Sequence, residues 1–354
     1  MKIVFFIPRM SGGGAERVVA NLANEFDKRG NSVLIYTPTD QNSFYQLRSS
    51  VRIVGENYSV SKKKVLRQVM LAINGIKLWF AYQKKIRIEK PDVVISFLTE
   101  TNCIALTHKH KNYKLIVSER NDPTKYSKVI QLITKKLYCK ADALVCQSHR
   151  VAKFFGFGNT KVIPNPIDTM IIPTSYKGVR KKRVCAVGRL MFQKNFANLI
   201  KAFSLLSKEF GEYTLEIYGD GPLRTELHQL IYDLNLSKRV KLMGAHKDVL
   251  ERIKDSSLFV MSSNYEGYPN ALAEAMAIGL PVICTDFDSG TARELVGEKN
   301  GCLVPVNDSN ALAEAMEYLL CYPEIRDAMS MENQKISDSL AVEKIADQWL
   351  GLIY

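Results

Sequence analysis

No two of the seven cysteines (103, 139, 146, 185, 284, 302 and 321) form a C-x-x-C pair. The usual spacings of a structural zinc site and of a dithiol redox centre are therefore missing. Many of these cysteines fall in apolar, strand-like runs, as reduced buried thiols do, so a cytoplasmic setting is expected. The P-loop pattern is absent, and so are short repeats and low-complexity segments. No apolar run is long enough and free enough of charge to span a bilayer. The chain opens Met1-Lys-Ile-Val-Phe-Phe-Ile, which reads straight into a strand and not as a leader. Acidic residues are scarce in the first half. Residues 1–165 hold 28 Lys and Arg against 11 Asp and Glu, while the remainder holds 21 against 25, so the two parts carry +17 and −4. Such asymmetry points to an anionic membrane surface, a polyanionic acceptor or nucleic acid as partner.

What is present is strand–helix alternation. At 354 residues and 46% hydrophobic content, the chain can fill two cores. Lys2–Ile7, Ser32–Tyr36, Asp92–Phe97, Lys114–Ser118 and Ala143–Gln147 read as strands. Ala15–Arg29 reads as a helix, with apolar residues at Val18, Val19, Leu22, Ala23 and Phe26. After Ile163-Pro-Asn-Pro-Ile-Asp168 a weakly patterned stretch, Thr169–Lys182, is expected to be the linker. The alternation restarts with Arg183–Val187, Thr214–Tyr218, Val240–Met243, Leu258–Ser262, Pro281–Thr285 and Cys302–Pro305. The expected fold class is α/β: two Rossmann-like domains facing a cleft, over 1–168 and 169–335. A helix over 336–354 would return to the first domain.

The segment Glu266-Gly-Tyr-Pro-Asn-Ala-Leu-Ala-Glu274 follows an apolar strand. Pro269 suits the first turn of a helix. The N–H groups of Asn270, Ala271 and Leu272 then lack intrahelical partners, and a helix end of that kind holds phosphate. Glu274 shares that face, four residues after Asn270. A capped surface helix could carry two carboxylates at the same spacing.

The E-x7-E spacing with Gly-Tyr-Pro-Asn inside it resembles the retaining nucleotide-sugar glycosyltransferases of the GT-B fold, family four. The loop Ser11-Gly-Gly-Gly-Ala-Glu-Arg17 looks like that of bacterial transferases extending undecaprenyl-diphosphate-linked glycans. A dinucleotide reading of this loop fails. The third glycine of G-x-G-x-x-G would fall at Arg17, and the second strand ends in Tyr36-Thr37 with no acid for a ribose. Val187-Gly-Arg-Leu-Met-Phe-Gln-Lys-Asn195 matches the family's diphosphate pair, with Arg189 as a planar fork and Lys194 as a point charge.

The resemblance implies that Glu266, Arg189 and Lys194 are catalytic. It places the donor against Gly13, Gly14, Arg189, Lys194, Glu266, Asn270, Ala271, Leu272 and Glu274. Gly12, Arg17 and Arg120 would lie on the acceptor side, with Arg120 standing where the family often has His. No metal or other cofactor is expected. Asp286-Phe-Asp288 resembles a metal-binding D-x-D, but it comes late in the chain and is expected to cap a helix. Gly290-Thr-Ala-Arg-Glu294 resembles a loop near the donor's sugar and phosphates, and His246 is placed near the uracil end.

Residues 61–90 interleave Lys62, Lys63, Lys64, Arg67 and further cations with apolar side chains. Such a helix can pack on the sheet or lie on anionic lipid. The expected enzyme is a hexosyltransferase moving a sugar, N-acetylhexosamine or hexose, from a UDP-sugar to a lipid-diphosphate-linked acceptor. It would sit on the inner face of the cell membrane. By the resemblance, retention would proceed by front-face attack, the leaving phosphate taking the acceptor's proton. A sugar-nucleotide epimerase or a basic nucleic-acid-binding protein are the alternatives. No nucleic-acid partner is expected, because no reader motif is present.

Overall fold

The computed structural model describes residues 1–38, 42–56, 64–108, 112–168, 172–173 and 176–353, with backbone alone for 64–74. The first half runs β1 (Lys2–Phe6), α1 (Gly14–Lys28), β2 (Ser32–Thr37), β3 (Arg52–Gly55), α2 (Lys64–Glu89), β4 (Val93–Phe97), α3 (Thr99–Thr107) and β5 (Lys114–Ser118). It continues with α4 (Lys128–Tyr138), β6 (Ala143–Cys146), α5 (His149–Phe155) and β7 (Thr160–Val162). The second half runs β8 (Lys181–Val187), α6 (Phe196–Ser204), β9 (Thr214–Tyr218), α7 (Arg224–Asp233), β10 (Val240–Gly244), α8 (Val249–Ile253) and β11 (Ser256–Met261). It ends with α9 (Asn270–Ala277), β12 (Val282–Thr285), α10 (Thr291–Leu295), β13 (Cys302–Val304), α11 (Ser309–Cys321), α12 (Pro323–Ser339) and α13 (Val342–Leu350).

Two compact units result. One is Met1–Pro166 with Val342–Tyr354, the other Ile167–Ala341. Each holds one parallel sheet, ordered β3-β2-β1-β4-β5-β6-β7 and β10-β9-β8-β11-β12-β13. A parallel strand pair needs a crossover, and here helices supply most of them. Central strands are therefore covered on both faces and read as unbroken apolar runs. Ile3–Phe6 and Leu258–Val260 are fully buried. In α1 the expected apolar stripe is buried, and Phe26 stacks on Phe5 of β1 at 5.9 Å.

Three features depart from the sequence reading. The short edge strands β3 and β7 were not expected; neither is fully buried, so neither has a continuous apolar run. The linker expected at Thr169–Lys182 is shorter, because Lys181 and Lys182 already belong to β8. The single helix expected over 336–354 is two elements. Residues 336–339 finish α12, and the chain breaks at Leu340–Ala341, where Ile167 N–H donates to the Leu340 carbonyl at 2.8 Å. Only α13 belongs to the first unit. It docks through Trp349, fully buried and stacked on Phe97 at 5.6 Å.

Trp349→Ala should therefore lower the unfolding free energy of the first unit by about 3–5 kcal/mol. Urea titration followed by far-UV circular dichroism checks this, and a loss below about 1 kcal/mol would contradict the docking role.

Candidate functional site

In the second sheet, β8 has β9 on one side and β11 on the other, so the connections run in opposite directions from it. Ligands of open α/β sheets bind outside the carboxyl ends of the strands at such a reversal. The sequence-predicted residues of the second half lie there. Past β8 come Gly188 and Arg189, then a 3-10 turn over Phe192–Lys194. Close backbone packing shapes this end. Gly219 has φ +138°, and a Cβ on it would lie 1.9 Å from the Gly188 carbonyl oxygen, so no side chain fits.

The turn is laced to the loop after β11. Asn264 N–H donates to the Gln193 carbonyl at 2.8 Å, and Ser262 Oγ donates to the Lys194 carbonyl at 2.9 Å. Asn195, in the left-handed region at φ 47°, donates through Nδ2 to Asn264 Oδ1 and Asn307 Oδ1. This lacing brings Lys194 Nζ to 2.6 Å from Glu266 Oε1. Ser263 Oγ donates to the same oxygen at 2.8 Å, and Gln193 Nε2 donates to Oε2 at 3.0 Å. Glu266 is 7% exposed, so its charge is held by the lysine and two neutral donors rather than by water. The Glu266 charge also adds to burial in pushing up the thiol of Cys284 on β12. Arg189 differs, because it is exposed at the same sheet end.

The helix tip is tighter than expected. Pro269 is the N-cap of α9 and not its first helical residue. Asn270 N–H donates to the Tyr268 carbonyl and Leu272 N–H to that of Pro269, both at 3.0 Å. Of the three expected N–H groups, Ala271 alone has no hydrogen bond among the described residues. Glu274 is half-buried one turn further on.

Asp286 caps no helix. It accepts from Arg293 Nε at 2.8 and 2.9 Å, and Gly290 is the N-cap of α10. Arg293, in the first turn of α10, offers a stronger charge-assisted partner than the backbone does. No cluster that could hold a metal ion occurs among the described residues. His246, past β10, has Nε2 at 3.0 Å from the Met243 carbonyl and its ring edge-on to Tyr218.

In the first unit the order also reverses, between β1 and β4. Gly13 is the N-cap of α1 and Gly14 its first residue. Glu16 folds back over this turn, so a Cβ on Gly13 would meet its carboxylate at 2.2 Å. A cover lies above: the Phe44 ring is 3.2 Å from a Cβ built on Gly12, and Tyr45 OH donates to the Gly13 carbonyl at 2.8 Å. The Arg17 guanidinium stands over the Tyr45 ring at 5.7 Å.

Arg120, expected to face the acceptor, is only 6% exposed. Its Nη1 donates to Asn165 Oδ1 at 2.6 Å, and its guanidinium sits on the Phe97 ring at 4.7 Å. The Arg120 guanidinium is packed between Phe97 of β4 and Trp349 of α13. Its neighbour Glu119 is the residue that sequence reasoning missed. This buried carboxylate accepts from Tyr138 OH at 2.7 Å, Tyr126 OH at 2.9 Å, and Arg120 and Asn121 N–H at 3.0 and 3.1 Å. Burial pushes its pKa up, and these donors oppose the shift. The one signal was a run of polar residues directly after an apolar strand.

Lys62 and Lys63 lie outside the described residues, as do the side chains of Lys64 and Arg67. None of the helices among the described residues is long and apolar enough to cross a membrane.

Comparison with known proteins accords with this geometry. Residues 12–170 match the family described as Glycosyltransferase Family 4, and residues 171–336 match Glycosyl transferases group 1. The N-acetylgalactosamine-N,N'-diacetylbacillosaminyl-diphospho-undecaprenol 4-alpha-N-acetylgalactosaminyltransferase of Campylobacter jejuni is 30% identical over 363 residues, spanning 97% of this chain and 96% of its own. A second C. jejuni protein, a GalNAc-alpha-(1->4)-GalNAc-alpha-(1->3)-diNAcBac-PP-undecaprenol alpha-1,4-N-acetyl-D-galactosaminyltransferase, is 27% identical, covering 100% and 98%. Anabaena HepE, solved with UDP, superposes with a TM-score of 0.80 at 21% identity over 99% of both chains. That likeness shows the shared fold, GT-B. HepE was also solved with UDP-glucose, with a TM-score of 0.78 at 20% identity, covering 99% of this chain and 98% of its own.

Breaking the Lys194–Glu266 pair from one side strands a buried charge. Glu266→Ala should lower the unfolding free energy of the second unit by about 3–5 kcal/mol. Adding Lys194→Ala should recover part of that loss, with a coupling of about 1–3 kcal/mol in a double-mutant cycle. Strict additivity in denaturant titrations would contradict the pairing.

Proposed function

The chain belongs to the family-4 glycosyltransferases, and from that premise we propose that it is a retaining hexosyltransferase using a UDP-sugar. The coarse function is glycosyl transfer in glycan or polysaccharide biosynthesis. The finer reading adds the donor, a UDP-N-acetylhexosamine or UDP-hexose, and the acceptor, a lipid-diphosphate-linked oligosaccharide at the inner face of the cell membrane. The observation that carries it is the grouping of Arg189, Lys194, Glu266 and the start of α9 at one end of the second sheet. The C. jejuni relatives support the acceptor class, since their names specify undecaprenol-diphosphate-linked sugars. HepE's UDP and UDP-glucose complexes support the donor class.

The chemistry follows from charge. Departure of UDP leaves negative charge on the diphosphate. Arg189, exposed and planar, can take two phosphate oxygens at once. Lys194 adds a second cation when its ammonium turns from Glu266 toward the phosphate. Ala271 N–H supplies a donor at the positive end of α9. Glu266, released in part from Lys194 but still held by Ser263 and Gln193, accepts from sugar hydroxyls, and Glu274 accepts from ribose hydroxyls. Two cations and a helix end supply the stabilisation that another enzyme would take from a metal ion. The acceptor hydroxyl attacks on the face that UDP leaves, and its proton passes to the departing phosphate oxygen. The resemblance of their loop assigns Gly13 and Gly14 to the donor, and Gly12 and Arg17 to the acceptor. An epimerase or a nucleic-acid-binding protein is not favoured, because the relatives are named as transferases.

Lys194→Ala should reduce kcat/KM by about 30- to 5000-fold, equivalent to about 2–5 kcal/mol of transition-state stabilisation. Arg189→Ala should also slow transfer but leave the denaturation midpoint unchanged, since its side chain is exposed. Initial rates with a lipid-linked acceptor, beside denaturant titrations, test both. Activity within threefold of wild type for Lys194→Ala would contradict the assignment.

A further inference from the structure

Helix α4 is amphipathic with its apolar side outward. The positions it buries are Thr134 and Tyr138, with Gln131 half-buried toward the preceding loop and Leu137 half-buried against the core. Those polar groups fix its register. Tyr138 OH donates to Glu119 at 2.7 Å, Gln131 Nε2 to the Tyr126 carbonyl at 2.9 Å, and Thr134 Oγ1 back to the Ile130 carbonyl at 2.9 Å. Rolling the helix to bury its apolar residues would break the Glu119 cluster. The outer side therefore presents Val129, Ile130, Leu132 and Ile133, with 66, 41, 70 and 44% of their surface exposed. Isolated exposed apolar residues are ordinary, but four within one helical turn and a half mark an interaction surface.

The surroundings decide what covers it. From Pro123 to Ala141 the chain has five lysines, 125, 128, 135, 136 and 140, and no acid. Lys135 also lies over the Phe154 ring at 4.3 Å. Helix α3 packs between α4 and α2, and beside it Ile76 and Phe80 are each 61% exposed. With Trp79, Cys103 and Ile104 they line a groove of 510 Å³. Glu100 is the acidic side chain on the exposed side of α3. A second copy of this face would set five lysines against five, which like charges oppose. An anionic bilayer matches both features at once: phosphates for the lysines and hydrocarbon for the apolar edge.

We propose that α4 is a membrane-docking helix that seats Val129, Leu132 and Ile133 in the interface of an anionic bilayer, with Lys128, Lys135 and Lys136 on lipid phosphates. This deepens the lipid-linked acceptor reading by naming the element that brings the enzyme to the acceptor. It adds a second element to the contact expected of Lys62, Lys63, Lys64 and Arg67.

The test is co-sedimentation of the full chain with phosphatidylglycerol-containing and with pure phosphatidylcholine vesicles. Wild type should pellet with the anionic vesicles and be released by salt. Leu132→Asp/Ile133→Asp should lower the partition coefficient by about tenfold or more, since it places two charges in the interface. Lys135→Gln/Lys136→Gln should lower it on anionic vesicles and flatten the salt dependence. Thermal midpoints report folding, and the lysine variant keeps the test decisive if the aspartates unfold the chain. A wild type that ignores anionic vesicles, or a folded variant that sediments like wild type, would overturn the proposal. So would a wild-type dimer that the aspartates dissociate without changing vesicle binding. Docking through α4 without transfer to any lipid-diphosphate acceptor would leave this inference standing and sink the acceptor reading instead.

Discussion

A parallel strand delivers the chain to the wrong end of the sheet, and every connection must travel back before the next strand can pair. That constraint governs both units. It forces helices onto both faces, makes the central strands uniformly apolar, and collects the loops that leave the strands at one end of each sheet. Where the strand order reverses, two of those loops part and leave room. In the second sheet the reversal lies between β8 and β11. Lys194 and Glu266, 72 residues apart in sequence, meet there at 2.6 Å. Glu266 is buried and Lys194 half-buried, and the lysine shares the carboxylate with Ser263 and Gln193.

The pairing gives the site a particular electrostatic character. Lys194 is neutralised within the protein, whereas Arg189 is exposed at the same end. On the proposed assignment, an arriving diphosphate would meet the arginine first and compete with Glu266 for the lysine. On the same proposal, a sugar whose hydroxyls occupy Glu266 would lower the cost of that exchange, and donor sugar and diphosphate would favour each other's binding. The first unit applies the same economy differently. Glu119 is surrounded by hydroxyl and backbone donors, and Arg120 by aromatic faces and Asn165. The two charges tie together the loop after β5. Because Tyr138 of α4 belongs to the Glu119 cluster, the same buried carboxylate fixes which side of α4 faces outward.

The strands and the main helices were legible because burial on both faces leaves a signal in consecutive residues. Lys114–Ser118 and Thr214–Tyr218 are found where the apolar runs end. The edge strands β3 and β7 have no such signal. Their pairing with β2 and β6 is decided by neighbours distant in sequence. The ends of α9 and α12 were misplaced by a residue or a few, since local hydrogen bonds such as Asn270 to Tyr268 settle them. For the candidate site, the resemblance of their motifs to a family singled out Arg189, Lys194 and Glu266. That the last two bond each other was not legible, because a contact across 72 positions leaves no local pattern. The burial of Arg120 was not legible, because a lone arginine after a strand looks alike whether it meets solvent or an aromatic wall. The outward apolar side of α4 was equally hidden, since periodicity reports a stripe and not the direction in which it points.

The central claim is that a retaining transfer is driven by protein cations and a helix end, with no metal ion. Its most direct test is transfer from UDP-α-sugars to an undecaprenyl-diphosphate-linked acceptor in EDTA, with the anomeric configuration of the product read by proton NMR. The account predicts an α-linked product at a rate that added Mg²⁺ or Mn²⁺ does not raise. A β-linked product, or transfer that EDTA abolishes and a divalent ion restores, would contradict it.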